Sequence, residues 1–132
     1  MNRPETETRD LFAIAELARE FGISTRAIRF YEAKGLLNPE RVGSTRVFRR
    51  RDRARLILIL RGKRLGFSLR DISDYLSLYE ADRTQRAQIN LLLEMVDQRV
   101  ELLEQQLADL ETSLAELREI RTLASERLAR AV

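Results

Sequence analysis

A stripe of apolar side chains repeats every seven residues along the second half of the chain, and it limits the possible architecture more than any other feature. Ile89, Leu93, Val96, Val100, Leu103, Leu107, Leu110, Leu114 and Leu117 follow one another at spacings that alternate between four and three. That alternation keeps one face of an α-helix apolar and marks a seam between packed helices. At about 1.5 Å per residue the stripe is roughly 43 Å long. Burying nine such side chains is worth about 13–27 kcal/mol per chain before entropy costs, and no other segment is long enough to cover them. A second copy of the chain is the natural partner, which makes these nine residues a dimerisation seam. The alternative is a helix folded back onto its own domain. Spacing alone leaves open whether two such helices run parallel or antiparallel. Beyond Leu117 the next positions in register are Arg121, Ala124 and Leu128, so the seam weakens there.

The chemistry of the chain is narrow. It has no cysteine and no histidine, which removes disulfides, zinc–thiolate sites, thiol nucleophiles and the commonest general base. The acids fall where helix surfaces place them, with no glycine-rich phosphate loop nearby. An enzyme is therefore disfavoured, and neither cofactor nor metal is expected. No run of 18 apolar residues suggests a membrane span. The polar, acidic segment at residues 1–10 has no signal-peptide pattern and reads as a flexible tail. A cytoplasmic protein is the expectation.

Charge is distributed unevenly. The net charge is +3, but Arg41–Arg64 holds ten basic residues against the single acid Asp52. Such a run is usually a solvated face. At this density it repels itself unless a polyanion is at hand, so a nucleic acid is the favoured partner.

Ahead of the seam, short helices alternate with turn signals. Ile14, Leu17, Ala18 and Phe21 give one helical face over Phe12–Phe21, and Gly22 stands where a C-terminal cap belongs. Ser24 and Thr25 suit an N-cap, and a second helix runs from Thr25 to about Lys34. Its buried stripe comprises Ala27, Ile28 and Tyr31, with Phe30 also assigned to the core. Gly35 stops it. Two short helices around a tight turn make a helix-turn-helix, a weak pattern alone. Residues 40–48, with Gly43-Ser44 as the turn, read as a small β-hairpin or wing. A third helix runs from Asp52, a candidate N-cap, to Leu65. A fourth covers Leu69–Tyr79, with Leu69, Ile72, Leu76 and Tyr79 as its apolar face; Ser68 and Asp71 form its capping box. A hinge is placed at residues 80–84. The fold class is thus mainly α: a winged helix-turn-helix with a β-hairpin wing, followed by a long dimerisation helix.

Leu11–Gly22 (LFAIAELAREFG), Ser24–Leu37 (STRAIRFYEAKGLL), Thr45–Phe48 (TRVF) and Leu65–Leu69 (LGFSL) together closely resemble the MerR family of bacterial transcription regulators. The run Ile28–Glu32 followed by Gly35-Leu36 is the most specific part. The resemblance covers residues 11–79. It implies a DNA-binding domain over 11–82, a coiled-coil helix over 83–132 that pairs antiparallel with a second copy, and an inverted-repeat operator at a promoter. Ser24, Thr25 and Arg26 then start the recognition helix, whose first residues reach base edges in the major groove. Arg29 lies one turn on. The Tyr31 hydroxyl can donate to phosphate, or its ring can serve as core beneath the wing, or both. Arg46 sits on the wing strand, where the resemblance implies a backbone or minor-groove contact. Arg41 and Arg49 are secondary candidates. Lys63 and Arg64 either touch phosphate or complement the dipole of the third helix.

The wing departs from many relatives, which carry tyrosine just before the wing arginine where this chain has Thr45. The variant wing, with Arg61–Phe67, resembles a subgroup that regulates branched-chain amino-acid and fatty-acid degradation. Family members commonly bend and untwist a promoter for RNA polymerase, and others repress; nothing in the residues chooses between them. Metal-sensing relatives place cysteines after the coiled coil, and the fifteen residues after Leu117 hold none. A small-molecule effector such as an acyl-CoA follows from the subgroup resemblance alone. A coiled-coil protein whose basic head binds nucleic acid without sequence preference is the competing reading.

Overall fold

A computed structural model describes residues 10–80 and 85–131. Most of the expected tail, and all of the expected hinge except Glu80, lie outside the described residues. The chain divides into two compact units at Gln85–Arg86.

The first unit has the order β1 (Leu11–Phe12), α1 (Ile14–Phe21), α2 (Thr25–Ala33), β2 (Glu40–Val42), β3 (Thr45–Arg49), α3 (Arg50–Arg64) and α4 (Leu69–Ser77). The strands form an antiparallel sheet in the order β1-β3-β2. β2 and β3 are the predicted wing, and they turn through Gly43-Ser44. Gly43 has φ +65°, a conformation that the tight hairpin turns demand and that glycine takes without strain. β1 departs from expectation. Phe12 opens no helix; it pairs with Phe48, and Leu11 with Arg49. Phe12 and Phe48 both enter the core, so pairing with β3 outweighs the helical pattern at that end.

The core gathers Leu17 and Ala18 from α1, Ile28 and Tyr31 from α2, Leu36 and Leu37 from the following loop, Leu56 and Ile59 from α3, and Ile72 and Leu76 from α4. The apolar block of α3 is therefore sorted by helical phase, with one side inward. α3 begins two residues before Asp52. Asp52 is thus the third residue of the helix, not its N-cap, and its carboxylate accepts from the Arg49 backbone N–H at 2.8 Å. The strand runs straight into the helix, leaving no separate capping residue. At α4 the box is as expected: Ser68 Oγ accepts from Asp71 N at 3.1 Å, and Asp71 Oδ2 accepts from Ser68 N at 3.0 Å. The face of α4 is narrower than expected, because Ile72 and Leu76 are buried whereas Leu69 and Tyr79 are exposed.

The second unit is a single helix, α5 (Arg86–Arg130), 45 residues long, or about 68 Å. Of the nine seam residues, Ile89 and Val96 are half-buried and the other seven are 46–62% exposed. The long helix is as the heptads require, and it presents its apolar stripe outward over most of its length.

Candidate nucleic-acid interface

Ser24 sets the start of α2. Its backbone is extended and its Oγ accepts from Ala27 N at 3.0 Å, meeting one of the donors that a helix N-terminus leaves open. Thr25 is the first helical residue. From there Arg26, Arg29, Phe30 and Ala33 are all exposed and fall at i, i+3, i+4 and i+7, a single face. Neither guanidinium on this face has a hydrogen bond or ion pair among the described residues. Two unpaired cations on the outer face of the second helix of a helix-turn-helix suit a polyanion.

Phe30 is not core. It is 45% exposed, its ring meets that of Tyr31 edge-on at 5.9 Å, and the Lys34 ammonium stands 5.5 Å from its centroid. Helical phase explains the difference: Phe30 follows Arg26 by four residues, whereas Ile28 and Tyr31 occupy the inner face. Tyr31 is 3% exposed, in the core role. Phe30 therefore joins the exposed face as a residue that sequence reasoning passed over.

The wing arginines are organised by an acid that had no assigned role. Arg41 and Arg46 are directly opposite on β2 and β3, an arrangement of like charges that is destabilising by itself. Glu32, near the end of α2, accepts from both, from Arg46 Nε at 2.6 Å and from Arg41 Nη2 at 3.2 Å. The Arg46 hydrogen bond holds the Glu32 carboxyl below its usual value; burial opposes it as the next largest influence, and the charges of Arg46 and Arg41 add smaller lowering effects. α2 and the wing are thereby joined through charge-assisted bonds. Arg49 is held by Glu40 at 3.0 Å and by Asp10 at 3.0 Å. Both acids lie below their usual values, chiefly through the Arg49 hydrogen bond. Arg49 therefore ties β1, β2 and β3 together.

Lys63 and Arg64 stand in the last turn of α3, exposed and without partners among the described residues. No bond among those residues links them to the α2–wing cluster, and their position complements the α3 dipole. Among the described residues no group of three or more potential ligands could hold a metal ion, and no helix is long and apolar enough to cross a membrane.

A basic helix-turn-helix braced by a wing defines a winged-helix, DNA-binding class of protein. Comparison with known proteins makes that class particular. The family model described as MerR HTH family regulatory protein matches residues 12–78, and the model described as MerR, DNA binding matches residues 53–120. The chain belongs to the MerR family and carries its helix-turn-helix DNA-binding unit.

Among its relatives, the HTH-type transcriptional regulator CueR of Salmonella typhimurium is 28% identical over 78 residues, 58% of this chain and 56% of the relative. The transcriptional activator SoxR homolog of Chromobacterium violaceum is 37% identical over 75 residues, 56% of this chain and 51% of the relative. The chain thus spans about half the length of the curated relatives it matches. Among solved structures, HiNmlR, a MerR family regulator lacking the sensor domain, was solved bound to promoter DNA. It is 29% identical with a TM-score of 0.57, covering 79% of this chain and 78% of that one.

Proposed function

We propose that the protein is a homodimeric, sequence-specific transcriptional regulator that grips an inverted-repeat operator. In this reading α2 enters the major groove with Arg26 at base edges and Arg29 at bases or phosphate, while Arg46 and Arg41 meet the backbone beside it. Arg49 braces the wing, and Lys63 and Arg64 add phosphate contacts. One observation carries the reading: the exposed face of α2 holds two unpaired guanidiniums beside wing arginines that Glu32 fixes in place. The DNA-bound HiNmlR structure supports the same partner. The exposed stripe of α5 supports pairing of two copies, antiparallel by family resemblance, which would place two heads on a two-fold operator.

Operator bending of tens of degrees costs about 1–6 kcal/mol, to be offset by backbone contacts, and the arginine-rich head is suited to supply them. RNA polymerase at the promoter is the further partner. Control of branched-chain amino-acid or fatty-acid degradation genes, an acyl-CoA-type effector and a cytoplasmic location complete the proposal; the first two rest on subgroup resemblance.

A salt-dependent shift assay tests the reading, with the upstream region of the protein's own gene against random duplex of equal length. Arg46→Ala lowers affinity for both duplexes. Arg26→Ala lowers affinity for the operator by about 1–3 kcal/mol and narrows its preference over random DNA. Operator binding unchanged by both substitutions would show that the DNA face lies elsewhere. Equal affinity of the unaltered protein for the two duplexes would favour a coiled-coil protein with an unspecific basic head, because phosphate contacts carry no sequence information.

A further inference from the structure

Two cavities in the first unit share a wall. One, of about 200 Å³, is lined by Ala54, Leu58, Leu76 and Tyr79, with Arg51, Arg55 and Glu80 around them. The other, of about 290 Å³, has the same three charged residues together with Glu40, Arg49 and Asp52 and the loop from Gly35 to Asn38. An apolar lobe thus opens beside a charged one, with Arg51 and Arg55 where they meet. The charges are nearly all spoken for. Arg49 is paired with Glu40, Asp52 accepts from Arg49 N, and Arg55 donates to Leu36 O at 3.0 Å and to Glu80 at 3.2 Å. Arg51 alone of the lining charges has no hydrogen bond or ion pair among the described residues.

We propose that this double cavity binds a small aliphatic carboxylate, with its chain in the apolar lobe and its carboxylate on Arg51 and Arg55, in competition with Glu80. The three lining guanidiniums and three lining carboxylates balance in charge, but Asp52 is engaged by a backbone N–H, so Arg51 is the one guanidinium without a partner, which suits a single carboxylate and not a polyphosphate. A volume of about 200 Å³ equals that of six or seven waters at ~30 Å³ each, room for a chain of about six carbons. A coenzyme A ester is too large and too highly charged. None of its lining residues belongs to the exposed face of α2, although Glu40 and Arg49 of the charged lobe also brace the wing.

Calorimetric titration of the full-length, DNA-free protein with carboxylates from propionate to octanoate tests it, and operator binding is measured separately. Affinity rises about three- to fourfold per methylene up to about six carbons and then levels off. Arg51→Gln weakens hexanoate at least tenfold, and Ala54→Phe, which fills the apolar lobe, abolishes the chain-length dependence. Glu80→Gln, which releases Arg55, strengthens it several-fold. The proposal is overturned if no carboxylate binds, if hexanol binds as well as hexanoate, or if hexanoate binding ignores Arg51→Gln; a coenzyme A ester that binds without displacing hexanoate occupies a separate site and leaves the cavity to the carboxylate. Intact circular dichroism of each variant separates loss of the site from loss of the fold.

Discussion

Glu32 faces two arginines across β2 and β3, and its protonation is the most direct handle on how the wing is attached to α2. Its pKa lies below the ordinary value of 4.5, chiefly because Arg46 donates to it. A depressed carboxylate contributes stability that is present above its unfolded value and lost as pH falls through the folded one. Thermal unfolding followed from pH 6 downward therefore loses this contribution below about pH 4.5, and Glu32→Gln removes that part of the acid dependence while lowering the transition at pH 6. Equal acid dependence in both proteins would show that the pair adds nothing.

The acid was visible in the sequence, within the run Ile28–Glu32, but its two partners lie nine and fourteen residues on. Only the hairpin register brings them together, so no local pattern could reveal the clamp. Phe30 teaches the converse. An aromatic next to a core tyrosine invites a core assignment, yet helical phase sends it outward. Phe30→Ala costs the fold about 1 kcal/mol, the edge-on contact with Tyr31, where a buried phenylalanine would cost about 3–5 kcal/mol. Urea unfolding decides between the two, and a loss above about 3 kcal/mol would return Phe30 to the core.

Among the elements, those with a strong period were legible and those made by pairing were not. α1, α2, α3 and α4 were placed to within a few residues because apolar spacing, caps and glycines agree there. β1 has two residues, too few for any alternation, and only its partner β3 makes it a strand. Asp52 stands three positions from the N-cap expected of it for a related reason: β3 and α3 are continuous, so the usual loop with a cap is missing. The meeting of α3 and α4 gives a test of packing. A Cβ added to Gly62 would stand 2.9 Å from Ile72 Cγ1, and Ile72 is in the core. Gly62→Ala gains about 1 kcal/mol in helix propensity but overpacks the crossing, at a cost of about 1–3 kcal/mol. The expected result is a net loss of up to about 2 kcal/mol in denaturant unfolding. A gain would show that the two helices separate freely.

At the scale of the whole molecule the proposed dimer turns on how two copies of α5 would meet. The heptads were readable because their period outlasts any local noise, whereas the direction of pairing is a property of two chains and leaves no trace in the spacing of one. The absence of cysteine from the sequence makes single-cysteine cross-linking clean. In a parallel pair every seam residue faces its own copy, so Leu117→Cys would link to itself on oxidation. In an antiparallel pair centred on the stripe at Leu103, two copies of residue 117 lie about 42 Å apart, far beyond the ~4 Å between the Cβ atoms of a disulfide. The antiparallel proposal therefore expects no dimer from Leu117→Cys alone, and a covalent dimer when Ile89→Cys and Leu117→Cys chains are mixed. Non-reducing electrophoresis after mild oxidation reads both outcomes. Sedimentation of Leu110→Glu provides the control for pairing itself. If the proposed dimer holds, a charge in the seam shifts that variant to single chains and takes operator affinity down with it, because one head alone would hold only half of the proposed two-fold site. Self-linking of Leu117→Cys would reverse the direction of the coiled coil, and a fully dimeric Leu110→Glu would move the interface off the seam.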